Sequence, residues 1–320
     1  MKYWPLIFCL FCSLQSVSQD YPEAVIANGS LEAHIYLPQG SQGYYQGTRF
    51  DQAGVISSLK FKGHEFFGVW NPIFKEGLHD AITGPVEEFM EMGYDEARVG
   101  ETFIRIGVGA LKKLDIEPQS RFRTYEIADA GKRKVKVKKD RITFTQVLTS
   151  ESGYGYAYVK ELRLIQNEPR LVIHHSLKNT GKRTIETSVY NHNFFMIDGE
   201  PTGPNIKTTF AFTPQGKGKG FGTVADFEGK SLIYKRELKA GENLFSDNVT
   251  GFSDSSDDFN ILIENLKTGA GVEIRGTEPI DKMIYWSCPT TACPEPYNKL
   301  VVHPGMKKEW DIMYDFKSAN

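Results

Sequence analysis

No charge of one sign dominates this chain. Its 320 residues carry 38 Lys+Arg against 40 Asp+Glu, a formal net charge of -2 at pH 7. That excludes a general nucleic-acid binder, whose footprint is a strong positive excess. Cysteine is scarce, with four in all at positions 9, 12, 288 and 293. Several signatures are missing. There is no H-E-x-x-H metal spacing and no G-x-S-x-G nucleophile elbow. Gly216 to Gly220 alternates glycine with lysine but lacks the spacing and strand-to-helix setting of a phosphate loop. Sustained helical periodicity is missing too, and the best short helix begins near Pro85. What the chain does have is aromatic residues, 21 Phe, 15 Tyr and 4 Trp, with 30 Gly and 15 Pro. That mixture points to many strands and turns.

The first eighteen residues read as a secretory signal. Lys2 gives a positive start, and Tyr3 to Leu14 is an apolar run of about 12 residues, too short to span a bilayer. Ser16-Val17-Ser18 places small residues before a cleavage site at Gln19. The mature protein would be residues 19–320, periplasmic or secreted. No later run is apolar enough for a membrane helix, so no membrane association is expected after cleavage, and a monomer is expected. Export removes Cys9 and Cys12. Cys288 and Cys293 stay, in a compartment where two cysteines can bond, so a disulfide and a pair of buried thiols are both open. Zinc would need two further ligands nearby.

The body of the chain alternates. Val55 to Phe61 is β-rich, and Lys62-Gly63 turns the chain towards Phe66-Phe67. Lys134 to Lys138 alternates strictly between lysine and valine, as the solvated face of an edge strand protected by lysines would. Tyr154, Tyr156 and Tyr158 occupy every second position and share one face. Asn167-Glu168-Pro169 and Asn179-Thr180-Gly181 punctuate the next strands. This spacing predicts an all-β fold, a large antiparallel β-sandwich in one domain over residues 19–320.

Two residues stand out chemically. His192 lies in Tyr190-Asn191-His192-Asn193-Phe194-Phe195, at a strand end, between amides and beside rings. It suits a general acid acting on a sugar; the plainer reading is a structural histidine bonded to a loop. Glu295 sits in Cys293-Pro294-Glu295-Pro296-Tyr297. Each proline fixes its own φ and restricts its predecessor, which makes a rigid mount for one carboxylate. The plainer reading is a surface Glu in a Pro-rich turn. Glu87-Glu88 is an acidic pair that could contact substrate; the plainer reading is a solvated acidic turn.

Together these segments resemble the galactose mutarotase-like superfamily, the aldose 1-epimerases and their relatives. Gly54 to Leu59 with Lys62-Gly63-His64-Glu65 resembles the early hairpin. Asn191-His192-Asn193-Phe194-Phe195 resembles the N-H-x-x-F segment, and Glu295 ahead of His303-Pro304-Gly305 and Trp310 resembles the general-base glutamate. The resemblance implies a supersandwich fold and a mono- or oligosaccharide ligand. It implies a mutarotase reaction without cofactor or metal, in which Glu295 takes the anomeric proton and protonated His192 gives one to the ring oxygen. It also implies substrate contacts from Arg49, Asp51 and His79, with Leu78-His79-Asp80 in the place of an L-H-G segment. Asp226 and Asp247 are both open as an intermediate carboxylate. A carbohydrate-binding protein without turnover is the alternative on the same fold.

Overall fold

The computed structural model describes residues 21–71 and 77–319; the expected signal segment, with Cys9 and Cys12, lies outside them. Strands and turns make up the described residues, with three single-turn 3-10 helices and no α-helix. The expected all-β class is therefore what the chain forms. The reason is local. Arg141–Thr149 and Gly155–Leu164 bury every second side chain, and two-residue periodicity buries one face of a strand and wets the other.

Two large antiparallel sheets bury one core. The first has ten strands in the spatial order Ala225–Glu228, Ser231–Tyr234, Ile206–Phe210, Asn260–Asn265, Ala270–Gly276, Lys307–Ser318, Arg170–Asn179, Gly155–Leu164, Arg141–Thr149 and Lys132–Val137. The second has five, in the order Leu244–Ser246, Lys282–Cys288, Thr291–Val302, Ile185–His192 and Val86–Phe89. Ile173, Leu177, Ile312 and Tyr314 of the first sheet form one buried cluster with Val189, Leu300 and Val302 of the second. Smaller sheets of four and three strands flank them. The lysine-rich strand Lys132–Val137 ends the ten-stranded sheet, as its composition predicts. The tyrosines at 154, 156 and 158 are all buried in the core.

The early hairpin forms as read. Lys62 and Gly63 take φ of 49° and 84°, the left-handed pair that a two-residue hairpin loop needs. The expected helix near Pro85 does not form. Val86–Phe89 is a strand, buried at all four positions, at the edge of the five-stranded sheet. Glu87 and Glu88 misled the reading, because each carboxylate is neutralised by cations and needs no solvent.

Candidate active site

The five-stranded sheet makes the site by alternation. Its inner face carries Phe89, Val189, Met283 and Leu300 into the core. Its outer face carries Glu88, Tyr190, His192, Glu295, Tyr297, Lys282, Ile284 and Trp286. Most of these, with Arg49, Trp70, Asp80, Arg121, Phe122 and Asp247, surround a cleft of about 360 Å³. That is within the size range of small-ligand pockets, about 300–1,000 Å³.

The catalytic candidates meet where the sheet opens. Ile185–His192 and Thr291–Val302 are paired from Ile185↔Val302 to Tyr190↔Tyr297. They touch again at Phe195↔Ala292. Between these contacts the ladder is interrupted, and the same register sets His192 opposite Glu295. His192 Nε2 stands 3.2 Å from Glu295 Oε1. The prolines explain the gap. Pro294 accepts from Asn193 Nδ2 at 3.2 Å, so its backbone polar groups face the side where the partner strand has diverged. A proline nitrogen is tolerated there because no ladder donor is required.

The imidazole is clamped. It lies flat on Phe194, with ring centroids 3.7 Å apart, and Phe194 in turn stacks on Trp70 at 4.8 Å. Phe50 and Trp286 close on the edges of His192. Phe194 holds φ of 46°, a left-handed conformation costly for a bulky residue, of order 1–3 kcal/mol. Asn193 fixes this turn by donating to Pro294 O and accepting from the Tyr314 hydroxyl at 2.9 Å.

Burial sets the protonation of the pair. Glu295 is pushed up to about 8, first by loss of solvent, with Glu88 and Asp80 adding and Arg49 and Arg121 opposing. His192 is pushed well below 6.5, first by burial and then by Arg49 and Arg121. In the free protein at neutral pH the pair therefore holds one proton, on the carboxyl, beside a neutral imidazole. This is the reverse of the resting state the resemblance implies, although the number of protons is the same. The cause is the low-dielectric site, which favours two neutral groups over a buried ion pair.

Arg49 lies on the cleft wall, fully engaged. Its Nε donates to Glu88 Oε2 at 2.8 Å, Nη1 to Asp80 at 2.7 Å and Nη2 to the Tyr190 hydroxyl at 3.1 Å. His79 does not line the cleft. It stands behind Asp80, with Nε2 3.1 Å from that carboxylate, and its ring packs against Phe122. Asp51 lies elsewhere, on the core side of Val86–Phe89, fully buried with Oδ2 3.6 Å from Lys160 Nζ. Its backbone N–H donates to Glu87 O at 2.8 Å, tying the Arg49 loop to the sheet. Of the two unplaced carboxylates, Asp247 lines the cleft, while Asp226 pairs with Lys235 at 2.6 Å outside it.

Cys288 and Cys293 are free thiols, not a disulfide. In the hairpin register Cys288 faces Thr291 and Cys293 faces Trp286, so the two are diagonal neighbours. Diagonal positions are about 7–8 Å apart, beyond the usual disulfide span. Sequence reasoning missed Arg121, Lys282, Trp70 and Trp286, none of which left a local signal; Glu88 was open there as a substrate contact, in the run Glu87-Glu88. Among the described residues no three His, Cys, Asp or Glu side chains are placed to share a metal ion.

No protein-family model matches the chain, and no curated protein matches it in sequence. Solved structures do match in fold. A GalM/aldose epimerase homologue from C. elegans superimposes with a TM-score of 0.58 at 13% identity, covering 94% of this chain and 100% of that one. A galactose mutarotase-like protein from Clostridium acetobutylicum gives 0.55 at 15% identity, with 92% and 94% covered. One from Lactobacillus casei gives 0.54 at 12%, with 92% and 100% covered. The fold is thus that of the galactose mutarotase-like proteins, as the sequence resemblance implied.

Proposed function

We propose that this protein interconverts the anomers of a free sugar by acid/base ring opening. The observation that carries the reading is the His192–Glu295 contact of 3.2 Å in the open ladder, walled by aromatic rings. The two reacting oxygens of a pyranose, the anomeric hydroxyl and the ring oxygen, sit on one carbon. An acid and a base in contact with each other match that geminal pair; they do not match an attacking water and a distant leaving group.

The steps balance with a single shared proton. His192 accepts the proton of the anomeric hydroxyl through Nε2, and Glu295 gives its proton to the ring oxygen. The C1–O5 bond breaks and leaves an aldehyde. C1 turns, the C5 hydroxyl attacks its other face, and both protons return. The opposite assignment, carboxylate as base and imidazolium as acid, uses the same proton count; burial of the pair favours the first. Trp70 and Trp286 offer apolar surface for the sugar ring, and Asp80 and Asp247 offer polar partners.

The test is anomer exchange followed by NMR over a panel of neutral and acidic monosaccharides. Wild type should accelerate exchange for at least one, and Glu295→Gln and His192→Asn should each lower that rate on the order of 10²–10⁴-fold. Binding without faster exchange would assign the cleft to a carbohydrate-binding protein. Export is part of the same proposal, supported by the charged, then apolar, then small-residue pattern of residues 1–18. N-terminal sequencing of the cell-derived protein checks it, with Gln19 expected first.

A further inference from the structure

The cations around the cleft are unequally satisfied. Arg49 has three close partners, as described above. Arg121 does not: its Nη1 is 3.5 Å from Glu88 Oε2, an oxygen already taken by Arg49 at 2.8 Å and Tyr190 at 2.6 Å. Its other contacts are the Tyr297 hydroxyl and the Met90 sulfur, both at 3.4 Å. Lys282 has no carboxylate within ion-pair distance among the described residues. Its ammonium lies 5.8 Å from the Tyr297 ring centroid. The nearby carboxylates do not change this. Asp80 is held by Arg49 and His79, and Asp247, although it lines the cleft, makes no ion pair with Lys282.

These two cations occupy one end of the cleft. Lys282 is paired with Tyr297 across the hairpin, and Ile284 with Glu295. Tyr297 follows Glu295 by two positions on the same face, about 6–7 Å along the strand. A sugar with its anomeric carbon and ring oxygen at His192 and Glu295 reaches the Arg121–Tyr297–Lys282 corner with the substituent on C5, the other carbon bonded to that ring oxygen. Two weakly partnered cations lining one cleft, both near Tyr297, form a site for an anion.

We propose that the substrate is an acidic sugar whose anionic group is bound by Arg121 and Lys282. The carbon attached to C5 is either itself a carboxylate or carries a phosphate ester. The inference rests on the sugar reading of the cleft, but it does not require turnover.

Calorimetric titration of the full chain separates the two. The ligands are D-galacturonate, D-glucuronate, D-galactose, D-glucose and the two hexose 6-phosphates. At least one acid should bind about tenfold or more tightly than its neutral counterpart, with the preference shrinking as salt is raised. Lys282→Gln and Arg121→Gln should each cut the preference for the acid over its neutral counterpart about tenfold, with an unchanged melting transition reporting an intact fold. Tighter uronates identify a carboxylate and tighter phosphates a phosphate ester; either result supports the subsite. Equal affinity for acid and neutral sugar, no binding of any acid, or an acid preference that survives both substitutions overturns it. Failure of the epimerase reading looks different: acid binding kept, with no faster exchange on any sugar.

Discussion

At the residue scale, Glu295 ties function to stability. Its carboxyl is raised to about 8 in the fold, against 4.5 for an exposed glutamate. Between those values the folded state holds a proton that the unfolded state has lost. Stability therefore falls as pH rises through that window, and the cost is complete above about pH 8. Glu295→Gln removes this titration. The variant should melt at a similar temperature to wild type near pH 4.5 and several degrees higher near pH 9, by calorimetry. Activity should follow the same proton. The competent form has a protonated Glu295 and a neutral His192, so kcat/KM should fall above about pH 8 and hold a plateau down through pH 6.5. An optimum near pH 5–6 with loss at neutral pH would instead show an ionised glutamate and an imidazolium at work. Prolines on both sides of Glu295 did signal a rigid carboxylate. Its protonation was not legible, because that depends on burial and on Arg49, Arg121, Glu88 and Asp80 arriving from elsewhere.

The element that organises the site is the short strand Val86–Phe89. Alternation sends Glu88 to the cleft, where it holds Arg49 and the Tyr190 hydroxyl. It sends Glu87 to the core, where it bonds Lys160, His175 at 2.9 Å and Asn191 at 2.9 Å. Glu87 is held down at about 2: burial alone would raise it, but Lys160 and His175 more than offset that. Lys160→Met leaves two buried carboxylates, Glu87 and Asp51, without their cation. It should cost about 3–5 kcal/mol in denaturant unfolding at neutral pH, and less in acid as Glu87 is protonated. Glu88→Gln acts on the cleft side. Removing its charge lowers the Glu295 carboxyl, so the alkaline limb of the pH–rate profile should move to lower pH. A merely structural role for Glu88 would reduce the rate without moving the limb. A polar dipeptide reads as a solvated turn because sequence shows no partners; Arg49, Lys160 and His175 are distant in the chain and adjacent only in the fold.

For the whole molecule, the ten-stranded sheet leaves Lys132–Val137 at an open edge. Alternating lysines keep that edge from pairing with another chain. Replacing Lys134, Lys136 and Lys138 with threonine should promote association, read as a concentration-dependent rise in sedimentation coefficient, with the cleft and its activity unchanged at low concentration.

The sequence determined the class of fold, the early hairpin and the edge strand, because two-residue periodicity and proline or glycine chemistry are local properties; His192 and Glu295 were singled out there through the family resemblance. Tertiary structure decided what those residues can do. One strand register across more than a hundred residues set His192 opposite Glu295 and opened the ladder between them. Long-range packing removed their solvent and moved their proton. It also kept the thiols at 288 and 293 apart, put Asp51 behind the wall, and brought Arg121 and Lys282 to one corner of the cleft. These outcomes depend on distance and dielectric between segments far apart in the chain, which the order of residues does not display.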